Sequence, residues 1–336
     1  MRLAQLPRPW LSPRAYRVLA VVTLASLVFI VVTGAAVRLT GSGLGCTTWP
    51  NCDANSFALR SASDTHGMVE WVNRMITGAV MLFTLAAVLG ARWRRPYRRD
   101  LYLVSLGLPA WVLANAVVGA LVVKFSLTPV AVIGHFLLSL GALANAVVLW
   151  ERSSWPDVPV PGGSGPGDGP VAVAPRPRAA TPALVNAVRG LVASGCLVLL
   201  SGTIVTGSGP HAGDERAHRL PFQVHDVARV HGIFMVIFLA TTLWVIRRAD
   251  RGDASPVVSG RLHILLVVLV GQAAIGYWQY FTGVPALLVG FHVFGATLVW
   301  VCLLRVLLAV VWPAPSVAEV GDAPEAALTR ATMGTW

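Results

Sequence analysis

Eight apolar runs of about 20 residues decide what this chain can fold into, because each is long enough to cross a bilayer. They lie near 17–38, 67–91, 101–124, 128–150, 183–206, 224–246, 260–281 and 285–311. A backbone inside lipid must satisfy its own N–H and C=O groups, and a helix does so within each run. The first run is too long for the core of a signal peptide and is followed by seven more, so it is read as a helix. Composition agrees. The chain is 55% hydrophobic and 12% charged, against about 25% charged in soluble domains. The expected fold is an all-α integral membrane protein with eight transmembrane helices.

The net charge of +11 does not point to nucleic acid in such a chain; arginine excess there reports orientation. Arg2, Arg8 and Arg14 precede the first span. Arg92, Arg94, Arg95, Arg98 and Arg99 follow the second, Arg152, Arg176 and Arg178 the fourth, and Arg247, Arg248 and Arg251 the sixth. The positive-inside rule makes these breaks and both termini cytoplasmic, in a bacterial-type plasma membrane. "TGSGLGCTTWPNC" (Thr40–Cys52) then lies outside, where a disulfide between Cys46 and Cys52 is tolerated. That pair is read either as a staple over the nearby site or as a thiol–disulfide couple used in turnover. Cys196 and Cys302 fall inside spans, as small core residues.

A Gly/Pro-rich stretch over 151–182 reads as a flexible cytoplasmic linker, and 313–336 as a disordered tail. The linker separates two sets of four spans, 1–150 and 183–312, that repeat each other. Thr40-Gly-Ser-Gly follows span one and Thr206-Gly-Ser-Gly follows span five. Gly119 precedes His135 by 16 residues, as Gly276 precedes His292. Nearly the same shift, one residue longer, carries His231 onto Asn73 and His225 close to His66. The architecture expected is two tandemly repeated four-helix bundles.

His135, His231 and His292 each sit about seven residues inside their spans, roughly 10 Å below the helix ends. Two histidines at one depth on facing helices can ligate a haem iron from both sides. A single intramembrane histidine can equally be one hydrogen-bonded to a helix carbonyl; the echoed register of His231 and His292 favours the ligand reading. In the first half Asn73 replaces the partner, leaving His135 as the clear ligand. His66 is a surface or propionate-contacting residue, or a weaker ligand candidate. His211, His218 and His263 read as solvated. Glu70/Arg74 and Asp226/Arg229 are either intrahelical salt bridges or, for the arginines, propionate contacts, with Glu70 left for chemistry. Glu70 has no acidic counterpart one repeat later, where Ala228 stands.

"TGSGLGCTTWPNC", "VEWVNR" (Val69–Arg74), "IGHF" (Ile133–Phe136) and "GFH" (Gly290–His292) together resemble the haem A synthase family over all eight spans. The resemblance implies oxidation of a methyl substituent of haem O to a formyl group by successive hydroxylations, giving haem A for cytochrome oxidase. It implies haem b on His231 and His292, haem O as substrate on His135 beside Asn73, Glu70 as the essential acid, and Cys46 and Cys52 as the outer-loop pair. Both haem sites would lie toward the outer face. Haem O synthase, cytochrome oxidase assembly factors and a quinone or other electron acceptor are the implied partners, beside the bilayer. Three features depart from many members: Asn73 stands for a histidine, the loop after span five lacks a second cysteine pair, and the first pair is only six residues apart. The competing readings are a dihaem b-type electron carrier without haem modification, which Asn73 and Glu70 argue against, and a transporter, which would need polar broken helices at mid-membrane.

Overall fold

The structure is a computed structural model describing residues 10–46, 48–53, 64–159, 171–173 and 179–311. Eight long helices are present: α1 (Pro13–Leu39), α2 (Thr65–Trp93), α3 (Arg99–Lys124), α4 (Pro129–Ser153), α5 (Pro182–Ser208), α6 (Val224–Arg248), α7 (Pro256–Phe281) and α8 (Ala286–Val311). All eight are long and apolar enough to cross a membrane. Their starts follow local chemistry. Pro13, Pro129, Pro182 and Pro256 open four of them, where a missing N–H costs nothing. Ser12, Asp64 and Thr181 accept hydrogen bonds from Ala15, Gly67 and Leu184 as N-caps. A π-helical turn over Ala249–Asp253 ends α6.

The two sets of four helices repeat one packing order. α1 packs on α2, α2 on α3, α3 on α4 and α4 back on α1; α5 to α8 close the same ring. Even the turns agree. Leu127 and Val284, both with positive φ, close α3 and α7 by donating to carbonyls five residues back, Val122 at 2.8 Å and Gln279 at 2.7 Å. The first helices keep register too: buried Tyr16, Ala20, Thr23 and Leu27 match buried Leu184, Val188, Leu191 and Gly195 at one constant separation. That separation differs by two residues from the one aligning the Thr-Gly-Ser-Gly motifs. Thr40 already caps α1, whereas α5 runs on through Ser208.

Two apolar cores, one per ring, meet along α1, α4, α5 and α8. Trp300 of α8 crosses the seam and donates to the Leu140 carbonyl at 3.0 Å. At the arginine-rich end, buried Glu151 of α4 accepts from Arg261 of α7 and Arg305 of α8, both at 2.7 Å. Glu151→Leu would strand two half-buried guanidinium groups and is expected to cost about 3 kcal/mol, read as a lower melting midpoint in detergent. An unchanged midpoint would mean that water already shields these charges.

The linker expected over 151–182 is fastened at its start. Asp157–Pro159 (β1) pairs antiparallel with Val171–Val173 (β2). Asp157 accepts from fully buried Arg94 at 2.7 and 2.9 Å. Residues 160–170 and 174–178, and the tail expected over 313–336, lie outside the described residues.

Candidate functional site

A large cavity of about 1190 Å³ opens between the two rings toward the end carrying the cysteine loop. His135 on α4, Asn73, Glu70 and Arg74 on α2, His231 on α6 and His292 on α8 all line it, as does Arg229 at its exposed rim.

In the second ring, the His231 and His292 imidazoles face each other with centroids 6.4 Å apart. Metal–imidazole bonds of about 2.0 Å, plus ring radii of about 1.1 Å, put two imidazoles on opposite sides of one metal about 6.2 Å apart, so the separation of this pair fits a bis-imidazole haem iron. Glycines make room for both rings. A Cβ on Gly202 would stand 3.1 Å from His231 Cε1, and one on Gly276 would stand 2.9 Å from His292 Cε1. The Ser201 hydroxyl donates to the Val198 carbonyl at 3.0 Å and lies 3.0 Å from His231 Nδ1. Its oxygen therefore accepts from Nδ1–H, which leaves Nε2 free as a ligand.

The first ring repeats half of this. Gly119 faces His135 as Gly276 faces His292, with a would-be Cβ 3.4 Å from Cε1. The 16-residue spacing seen in the sequence is thus the spacing of an imidazole and its glycine bed. Asn73 lines the same cavity, and its Oδ1 is buried without a hydrogen-bond partner among the described residues.

The cysteine loop is bolted to α2. Cys46 and Cys52 form a disulfide. The Cys46 amide donates to Glu70 Oε2 at 2.8 Å, and Arg74 Nη2 donates to Glu70 Oε1 at 2.5 Å. Arg74 Nη1 reaches the carbonyls of Thr48 (2.9 Å), Pro50 (3.2 Å) and Asn51 (2.9 Å). Gly45 permits this approach, since a Cβ there would lie 2.4 Å from the His66 carbonyl. His66 Nδ1 lies 3.0 Å from the Ser42 hydroxyl, so this ring holds the loop as well. Glu70 is thereby a buried carboxylate at the cavity wall with two donors on it.

The other expected pair does not meet. Asp226 lies 3.3 Å from His225 Nδ1, and Arg229 lies 3.2 Å from His225 Nε2. His211, read as solvated, instead bonds the Val284 carbonyl at 2.8 Å and lines the cavity. The sequence reading missed three residues. Ser201 and Gly202 hold His231, and Arg38 of α1 donates to the Thr206 carbonyl of α5 at 2.5 Å across the seam. A small residue and a hydroxyl side by side on the helix facing a histidine were the available signal.

A family model described as COX15-CtaA, cytochrome oxidase assembly protein, matches residues 17–304. The chain is 31% identical over 138 residues to a heme A synthase of Bacillus pumilus, covering 40% of this chain and 44% of that protein. It is 26% identical over 137 residues to a heme A synthase of Bacillus licheniformis, with the same coverage. A Bacillus cereus heme A synthase is 30% identical over 133 residues, 39% of this chain and 42% of that one. Each match spans less than half the length of these curated relatives. The family match runs through all eight helices, and the chain is a multi-pass membrane protein belonging to the COX15-CtaA family of cytochrome oxidase assembly proteins.

Proposed function

We propose that this protein is a haem A synthase, oxidising a methyl substituent of haem O to a formyl group by successive hydroxylations. The observation that carries the reading is the facing pair His231 and His292 in the same cavity as a lone His135 and buried Glu70. On this reading residues 183–312 hold haem b between His231 and His292, and residues 1–150 hold haem O on His135. Haem b, when bound, supplies one-electron redox chemistry. Ser201 and the glycine beds orient the imidazoles, and the cavity's apolar helix faces suit the substrate's isoprenoid tail. Glu70 manages protons released as the methyl group is oxidised, kept in place by Arg74 and the Cys46 amide. Arg74, with four donations already made, acts as a clamp on the cysteine loop; Arg229 at the rim is the better candidate for a propionate contact. The disulfide loop is a lid over the substrate half.

The arginine-rich helix ends are assigned to the cytoplasm by the positive-inside rule, with both termini there, which puts the cavity mouth and disulfide outside. A quinone or other acceptor takes the electrons away. Haem O synthase and cytochrome oxidase assembly factors are the partners this chemistry calls for.

The test is expression in a host that makes haem O but not haem A, followed by extraction and chromatography of the haems. Haem A or its hydroxylated precursor is expected. Haem b with unchanged haem O would instead support the dihaem electron carrier.

A further inference from the structure

The two rings differ at the repeat position held by Asn73 in one and His231 in the other, both of which line the same cavity as His135 and His292. In register, Thr33 and Gly34 of α1 match Ser201 and Gly202 of α5. The Thr33 hydroxyl donates to the Ile30 carbonyl at 3.2 Å, as Ser201 donates to the matching Val198 at 3.0 Å. Gly34 lines the cavity, as Gly202 does. A Cβ on Gly202 would press on His231, whereas a Cβ on Gly34 meets nothing within 4 Å. Asn73 occupies the position of His231, and its side chain ends one bond short of an imidazole's far nitrogen. The glycine bed of an imidazole is therefore present in the first ring without the imidazole. Asn73 Oδ1 adds a buried, unpartnered acceptor at this wall.

We propose that Gly34 and Asn73 line a recess that accepts a small exogenous neutral donor where the second ring uses its own histidine. This rests on haem O being held by His135. The ligand must offer a lone pair to the iron and an O–H or N–H to Asn73 Oδ1, which describes water or imidazole and not an apolar diatomic. A haem held by His135 would then be open to an exogenous ligand at this recess, whereas one held by both His231 and His292 would not.

The experiment uses the full chain purified from the haem O-producing host, with free imidazole as probe. Absorption and EPR spectra are expected to show one high-spin and one low-spin haem, and imidazole should convert the high-spin one alone. Asn73→His should be low-spin at both haems and unresponsive to imidazole. Gly34→Leu fills the recess and should raise the imidazole needed by about tenfold or more, the usual scale of overpacking. Haem extraction from the same samples separates the two possible failures. If haem O or its product is present and both haems are low-spin without imidazole, the recess is wrong and the site assignment survives. If only haem b is recovered, both are overturned.

Discussion

Glu70→Gln is expected to remove haem A from the extracted haems while the haem b spectrum stays as in the wild type. The substitution keeps the size of the side chain and deletes its charge. A positioned acid or base contributes about 10²- to 10⁴-fold to rate, so product should fall at least a hundredfold. The haem b signal should persist because Glu70 sits on α2, and the imidazoles proposed to hold that haem sit on α6 and α8. The cost at the loop is local. One of the two donors on Glu70, the Cys46 amide or Arg74 Nη2, would face an NH₂ group, but Arg74 keeps its three loop carbonyls. Normal haem A yield would sink the proton-handling role. Loss of haem b together with haem A would assign Glu70 to folding of the cavity instead.

The fold was legible because lipid writes a strong local signal. A charged or unsatisfied group inside the bilayer is costly, so the apolar runs marked all eight helices to within a few residues. The repeat was legible for α3/α4 and α7/α8, whose Gly–His spacing is fixed within one hairpin. For α1 and α5 the eye-catching Thr-Gly-Ser-Gly match gives the wrong register, because one copy lies past the helix end and the other within the helix. Buried positions, not the motif, set the true correspondence. The site was half legible. Histidines in apolar runs stand out, whereas Ser201, Gly202 and Gly34 are ordinary small residues whose meaning comes from a neighbouring helix. Arg74 was visible as the partner of Glu70, but its three loop carbonyls were not, since backbone acceptors leave no mark in a sequence. The β1–β2 pairing was hidden for the same reason: its strands are three residues each and depend on Asp157 meeting Arg94 of a distant connection.

His292→Ala is expected to eliminate low-spin haem b and, with it, haem A. Truncation removes one of two imidazoles set 6.4 Å apart and leaves His231 alone on a wide cavity. Haem per chain, measured as the pyridine haemochrome, should lose its haem b share, and the low-spin EPR signal should vanish. Retention of a low-spin haem b would break the assignment. Removing a ligand is a blunt test, and Gly276→Val supplies a finer one on an unaltered ligand set. A Cβ at position 276 would stand 2.9 Å from His292 Cε1, closer than packed atoms allow, and the nearest movable group is the imidazole itself. The ring must swing away from His231. The expected result is a haem b that is bound more weakly and partly high-spin, with both histidines still present. At Gly119 a Cβ would make only ordinary contact with His135 Cε1 at 3.4 Å, so Gly119→Val acts through its added methyl groups and should disturb the substrate haem more mildly while sparing haem b. If both valine variants altered the same haem, the two histidines would serve one site, and the division of the chain into a redox half and a substrate half would have to be abandoned.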